Sequence, residues 1–207
     1  MTVDYNTPDY VMLEDLTNNI YMFSGAKTYQ NVRLTTDLLK DNELRNNYYK
    51  FKEAASKIFT DFQDKHLRVE YNTAIGNSQM AANWQRIEYN KDAMPLLQYQ
   101  TAGDGRVRPT HASLDNIIRP VDDKFWDLYY PKNGWNCRCT VIQISEGEIT
   151  DMRGFKKPND VPNEFLMNSG KDKIIFSKEH PYFDVAKGDK KFAKENFDMP
   201  IPKPPKK

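Results

Sequence analysis

The spacing of hydrophobic positions along this chain changes near residue 44 and again near residue 95, and each change predicts a different kind of element. Between these points the apolar side chains recur at steps of four, three and four, at Phe51, Ala55, Ile58 and Phe62. Such steps place them on one face of an α-helix. A second helical stretch, residues 67–89, is rich in small side chains, and the pattern leaves open whether the two stretches form one helix.

The first 42 residues show no long hydrophobic period. Short apolar clusters such as residues 20–23 stand immediately before Ser24 and Gly25, a pair that predicts a turn. We therefore predict that residues 1–42 form a segment that packs on something else, as the end of a larger region would.

Beyond residue 95 the pattern favours β-structure. Residues 96–101 alternate and are rich in strand formers, and two glycines then predict a loop. A turn at residues 131–134 leads into a second predicted strand, Cys137–Ser145. Because side chains alternate along a strand, Cys137 and Cys139 are expected to point to the same side.

Two short helices are predicted between these strands. Pro109 and Thr110 suit a helix start, and Asp122 or Asp123 can cap a helix that runs through Leu128. Together the elements predict an α+β fold with a helical N-terminal half packed on a small β-sheet with a long ordered loop. An irregular C-terminal extension is expected to follow.

The predicted organisation has three parts, residues 1–42, 43–145 and 146–207. Within the central part we expect residues 65–145 to be the stable folding unit, since they hold the helices and both strand signals. The last residues, 200–207, are rich in proline and lysine, which predicts an extended, mobile basic tail.

Composition removes several classes of protein. Charged residues make up 29% of the 207 positions but the net charge is only +1, so any DNA contact would need a local patch. No apolar run approaches the roughly 20 residues that cross a bilayer, and the acidic N-terminus does not resemble a signal peptide. We expect a soluble protein made in the cytoplasm. Its two cysteines, spaced C-x-C, do not suit a secreted disulfide scaffold.

Candidate metal chemistry is concentrated in residues 103–139. Two cysteines at i and i+2 of a strand, with His111 from the preceding helix, offer three zinc ligands: His111, Cys137 and Cys139. The fourth ligand is expected to be Asp104, Asp115 or water. Alternatively, the cysteines are small buried hydrophobic residues and His111 bonds to a loop carboxylate.

The same region holds a set of acidic and basic residues. Arg106 and Arg108 share a face of an extended loop, and pairing with Asp104, Asp115 or Asp122 can hold that loop on the strands. The predicted structural polar cluster consists of Asp104, Arg106, Arg108, Asp115 and Arg138. Catalysis by Asp104 and His111 with an arginine is the further alternative, but the chain has none of the common hydrolase motifs, so we expect no enzyme.

Several of these residues, taken in order, match the pattern of a known family. The chain resembles the phage Mu F-like minor head proteins, the family of the SPP1-type head morphogenesis proteins, over roughly residues 65–145. The matching positions, in chain order, are Tyr71 with Asn72, Asp104, Arg108 with His111, Asp122 through Trp126, Pro131 with Asn133 and Gly134, and Cys137 to Cys139. Two positions depart from the family pattern. Asn116 replaces a usual glycine, whose turn asparagine tolerates, and Lys132 replaces a common second proline.

The resemblance implies a minor capsid protein of a phage or prophage. Such a protein is present in few copies, associates with the portal and capsid proteins, and acts in head assembly or in DNA packaging and delivery. It would reside in the host cytoplasm during assembly and then in the virion head, with no membrane and no small-molecule substrate as partner. Contact with packaged DNA is a further option, through basic residues that include Lys203, Lys206 and Lys207. Alternatives are a metal-dependent enzyme and a toxin-associated module on the same domain.

Overall fold

The computed structural model describes residues 9–158 and 161–197. The chain divides into two compact units, which differ from the three predicted segments. One, here called the helical unit, takes the chain up to Glu70 and again from Lys178 onwards. The other, here called the sheet unit, is Tyr71–Ser177. The predicted basic tail lies outside the described residues.

The helical unit begins with a single long helix, α1, Tyr10–Leu38, so the predicted turn at Ser24 and Gly25 is wrong. Asp9 caps this helix through bonds from the amides of Val11 and Met12. Its buried positions recur at steps of four and three: Met12, Leu16, Asn19, Phe23, Ala26 and Gln30. Because two members of this stripe are polar, the helical period is hidden when only apolar residues are counted.

Two short helices and a long continuous one follow. They are α2, Asn42–Asn46, α3, Tyr48–Thr60, and α4, Leu67–Asn90, with a π-helical segment, Asp61–His66, between the last two. The two predicted helical stretches are therefore joined without a non-helical residue. Glu70 marks the end of the helical unit along α4.

The C-terminal part of the chain completes the helical unit. Gln30 on α1 donates to the main-chain carbonyls of Tyr182 and Asp184, at 2.9 and 2.7 Å. Tyr182 in turn donates from its hydroxyl to Glu70, which also pairs with Lys27 at 2.6 Å. These buried polar contacts tie a stretch beyond residue 178 to the first helix, which sequence patterns cannot show.

A three-stranded antiparallel sheet forms the frame of the sheet unit, in the order β2-β1-β3. The strands are β1, Leu96–Gln100, β2, Ile118–Pro120, and β3, Thr140–Ile144. Tyr99 of β1 lies opposite Val141 of β3. The first predicted strand is confirmed, whereas the second begins at Thr140 instead of Cys137, so both cysteines precede it.

Helices α5, Pro109–Ala112, and α6, Phe125–Tyr129, lie where short helices were predicted. The carboxylate of Asp123 accepts a bond from the amide of Phe125, as expected for an acidic residue at a helix start. Strand β2 was not predicted, because three residues that end in proline are too few for a pattern.

Aromatic side chains dominate the core of the sheet unit. Trp84 of α4 packs edge-on against Tyr130, whose hydroxyl donates to the carbonyl of Met80 at 2.9 Å. Other fully or almost fully buried members are Leu97, Tyr99, Leu114, Val121 and Trp126. Large aromatic rings bury much apolar area each, so a small sheet with one long helix can form a core.

Part of the predicted C-terminal extension belongs to this same core. Asn168 donates to the carbonyl of Trp126, and Asn77 of α4 donates to the carbonyl of Ile175 at 2.7 Å. Helix α7, Ser169–Asp172, brings Gly170 against Trp84, and a last helix, α8, Lys190–Phe197, belongs to the helical unit. Across residues 9–158 and 161–197, no helix combines the length and apolar character of a membrane span.

The contact between Gly170 and Trp84 gives a test of the packing. A methyl group at residue 170 would stand closer than 3.0 Å to three atoms of the Trp84 side chain. We expect Gly170→Ala to lower the free energy of unfolding by about 1–3 kcal/mol, the usual cost of overpacking. Gly105→Ala is the matched control, because nothing lies within 4 Å of the added methyl. Equal denaturation midpoints for the two variants would contradict this packing.

Burial of His180 in the helical unit gives a pH-dependent test. Its Nδ1 accepts a bond from the amide of Tyr182, and burial, with a smaller contribution from His66, lowers the pKa of His180 from 6.5 to about 4. The unfolded chain therefore takes up this proton first, so stability present above pH 6.5 is lost as the pH falls towards about 4. In His180→Asn, which keeps a capping oxygen, denaturation midpoints should show a smaller loss across this range. An unchanged pH profile would show that His180 is not buried as a neutral ring.

Candidate metal centre

Three potential metal ligands meet at one end of the sheet unit. His111 lies in α5, and Cys137 and Cys139 lie just before β3. Their ligand atoms are all within 4.8 Å of one another. His111 Nδ1 is 3.6 Å from Cys137 Sγ and 3.5 Å from Cys139 Sγ. The structure thus brings together the three residues that were predicted as metal ligands, and they are able to hold a metal.

Local backbone geometry explains why the two cysteines face the histidine. Pro109 occupies the first turn of α5, where proline's fixed φ is favourable, and His111 follows two residues later. Asn136 has a φ of 55°, a left-handed conformation that asparagine tolerates better than most residues. The amide of Cys137 then donates to the carbonyl of Gly134, which closes a tight turn at the cysteines.

The proton on the His111 ring is assigned by its neighbour. Nε2 lies 3.1 Å from the main-chain carbonyl oxygen of Asn133, which can only accept a hydrogen bond. Nε2 therefore carries the proton, and the lone pair of Nδ1 points at the two sulfurs. Metal-binding histidines commonly have this arrangement, because a bond at the second nitrogen fixes the ring.

Asn133 itself is held from several directions. Its side chain is fully buried, and Oδ1 accepts a bond from the hydroxyl of Tyr99 at 2.9 Å. Its Nδ2 donates to the carbonyls of Tyr130 and Phe165 at 3.3 and 3.4 Å. Burial raises the pKa of Tyr99, which remains a neutral phenol. Sequence reasoning assigned no role to Tyr99, and quoted Asn133 only as a part of a turn motif.

The two thiols influence each other's ionisation. A hydrogen bond from the Cys139 thiol lowers the pKa of Cys137, against the effect of burial. The same bond and burial raise the pKa of Cys139. The proton of Cys137 is therefore the first that the pair releases. Lys132, whose Nζ donates to the carbonyl of Cys139 at 2.7 Å, adds a positive charge, although burial lowers its pKa.

The distances fit a tetrahedral zinc ion. Bonds of about 2.3 Å to sulfur and about 2.05 Å to nitrogen, at a tetrahedral angle, separate those two atoms by about 3.5 Å. The two N–S distances of 3.6 and 3.5 Å agree with this value. An S–H···N hydrogen bond has a similar length, so the two distances suit a metal and a hydrogen-bonded set of thiols alike.

The predicted polar cluster is only partly assembled. Asp104 forms two bonds with Arg138, at 2.7 and 2.6 Å, and a longer one with Arg106 at 3.3 Å. Hydrogen bonds from Arg138 hold the pKa of Asp104 well below its usual range. Arg108 instead donates to the carbonyl of Trp135, and Asp115 accepts from the amide of Thr101.

These contacts bear on the other residues that the sequence singled out. Among the described residues, the group able to hold a metal comprises His111, Cys137 and Cys139, without Asp104 or Asp115. Asp122 pairs with Lys91 and not with an arginine of the loop. The loop is thus held by the Asp104 and Arg138 pair and by main-chain carbonyls.

Comparison with known proteins identifies the family. A family model described as Phage Mu protein F like protein matches residues 27–142, more than half of the chain. The chain belongs to this family. The match includes α5, both cysteines and the turn at Asn133, so every element of the candidate metal centre lies within the family's matched region.

Two curated relatives of this Mu F-like chain are similar over shorter stretches. One is the putative capsid assembly protein F of Escherichia phage Mu, 36% identical over 88 residues, which is 42% of this chain and 20% of the relative. The other is the Mu-like prophage FluMu F protein of Haemophilus influenzae, 34% identical over 92 residues, 44% of this chain and 22% of the relative. The match spans about a fifth of each relative. No solved structure matches significantly.

Proposed function

We propose that this chain acts as a structural component of a phage or prophage head, bound to the portal or to capsid proteins during assembly or DNA packaging and delivery. The observation that carries the proposal is the family match over residues 27–142. A relative that is 36% identical is named a putative capsid assembly protein, which supports a role in the head. With this role, the protein would be located in the host cytoplasm during assembly and in the virion head afterwards.

The outer face of α1 supports a docking role. From Tyr10 to Val32 its exposed positions include one charged side chain, Glu14, although 29% of the chain is charged. The uncharged exposed residues are Tyr10, Val11, Leu13, Thr17, Ile20, Tyr21, Ser24, Thr28 and Val32. A stripe about 35 Å long, at 1.5 Å per residue, with a single charge suits contact with another protein better than contact with water.

Placing a charge on this stripe should therefore reduce incorporation into heads. We expect Ile20→Asp, at a side chain that is 39% exposed, to fold normally and to be depleted from purified heads, measured by quantitative mass spectrometry. Ile149→Asp is the matched control, because Ile149 is 49% exposed but lies in the sheet unit. Normal incorporation of the Ile20 variant would show that the stripe is not the docking surface.

The metal centre is proposed to hold one zinc ion. Two cysteine sulfurs and an imidazole nitrogen are the ligands that zinc prefers, and their separation matches its bond lengths. Residue 111 is separated from its sulfur partners by 26 and 28 positions. Zinc would thus close the loop between α5 and β3 and stabilise the folded sheet unit.

Metal content is the direct test. The purified chain should carry about one zinc per molecule, and Cys137→Ser or Cys139→Ser should lose the metal and several kcal/mol of stability, because binding is coupled to folding. If the cysteines only pack, each change should cost on the order of 1 kcal/mol and the protein should carry no metal. His66→Ala, an exposed histidine outside the centre, should leave the zinc content unchanged.

We also propose that the centre has no catalytic turnover. The carboxylate best placed in sequence to act as a base, Asp104, is occupied by Arg138 and Arg106. His111→Ala should therefore reduce folding or head incorporation. It should abolish no catalytic activity, because the unchanged protein has none to measure. A hydrolytic activity towards peptide or nucleic acid that disappears in a folded His111→Ala protein would contradict this.

A further inference from the structure

We infer that the metal centre has an open fourth coordination position, which binds water at rest and accepts a small anionic ligand such as a thiolate. This inference rests on the zinc proposed above and adds an exchangeable ligand to it. Structural zinc sites are closed by four protein ligands, whereas three protein ligands leave one position free. The sulfur and nitrogen set found here supplies three.

The carboxylates of Asp104 and Asp115 already accept hydrogen bonds from other groups. Both oxygens of Asp104 accept bonds from the guanidinium of Arg138. Asp115 accepts from the amide of Thr101 with one oxygen, at 2.7 Å, and from the side chain of Asn116 with the other. Within residues 9–158 and 161–197, no acidic group joins the histidine and the two cysteines.

Tyr99 is a further side chain beside the centre with an oxygen to offer, because its hydroxyl is also within hydrogen-bond reach of Cys139. Its hydroxyl donates to Oδ1 of Asn133 at 2.9 Å, so the proton is held in that bond and the oxygen is part of the core. Tyr99 is completely buried in the middle of β1. It therefore supports the centre from β1, with its hydroxyl proton bonded to the side-chain amide oxygen of Asn133.

Cys137 is the most exposed of the three ligand residues, and the open position is inferred to lie on its side. His111 and Cys139 are each only 3% exposed, so they form the inner wall. Cys137 is half-buried, and its neighbours Asn136 and Arg138 are exposed. A small ligand can thus approach from solvent beside Cys137 without displacing the core.

Charges around the opening favour an anion. A zinc ion with two thiolates and a neutral imidazole has no net charge. Lys132, whose Nζ donates to the main-chain carbonyl of Cys139, places a positive charge beside the cysteines, whereas the charge of Arg138 is already paired with Asp104. Arg108 lies next to Gly134, on the turn that leads to the cysteines. Sulfur donors suit a centre that already holds two thiolates.

Cobalt substitution tests the open position, because the visible spectrum of cobalt(II) reports its ligands. The 207-residue chain, freed of metal and thiols, is loaded with one equivalent of cobalt(II) and titrated separately with azide and with 2-mercaptoethanol. We expect each probe to shift the visible bands saturably, without loss of bound cobalt. Lys132→Met, which keeps most of the stem and removes the charge, should weaken azide binding several-fold.

The outcomes separate the two proposals. Failure to bind cobalt(II) or zinc would overturn the metal centre and the open position together. Tight cobalt binding with a four-coordinate spectrum that neither probe changes would leave the zinc proposal standing and overturn the open position. Tyr99→Phe provides the control for a hidden protein ligand: the probe response should persist, and a response that appears only in this variant would show that the hydroxyl fills the fourth position.

Discussion

The buried amide of Asn133 is the contact on which the sheet unit depends. Its main-chain carbonyl accepts from His111, its Oδ1 accepts from Tyr99, and its Nδ2 donates to Tyr130 and Phe165. One residue, through its side chain and its carbonyl, therefore joins β1, α5 and the stretch after residue 161. A buried polar group left without partners lowers stability by about 1–3 kcal/mol. These elements are therefore expected to fold together, because each supplies a partner to Asn133.

Local patterns predicted the helices and strands whose signals are complete within a few residues. The steps of Phe51 to Phe62, the alternation at β1 and the proline at α5 are such signals. Helix α1 was not predicted because Asn19 and Gln30 occupy two positions of its buried stripe. Their burial depends on partners far along the chain, for Gln30 the carbonyls beyond residue 181. Long-range pairing of this kind also determines which residues belong to each unit. The predicted segments are therefore continuous in sequence, whereas the helical unit combines both ends of the described chain.

The candidate centre shows the same division between local and distant information. The C-x-C spacing and a histidine at a helix start suffice to propose three ligands, because both signals lie within a few neighbouring residues of the sequence. The pairing of acids with arginines does not follow from spacing, since several carboxylates stand at comparable distances in sequence. Only the fold selects Asp104 for Arg138 and gives Arg108 a carbonyl instead. Tyr99 could not be distinguished from any other aromatic residue in an alternating strand.

The stabilising effect of a metal here differs from that in a small zinc finger. Closing a loop of about 26 residues costs roughly 3 kcal/mol of chain entropy. In a finger peptide the metal offsets nearly all such costs, because little else holds the fold. In this protein the bond between Tyr99 and Asn133 already brings the loop to β1. Three protein ligands are then enough to fix His111 against the cysteines, and the fold does not require a fourth. In the structural role proposed here, such a fold would leave one coordination position of the metal exchangeable without loss of the packed sheet unit.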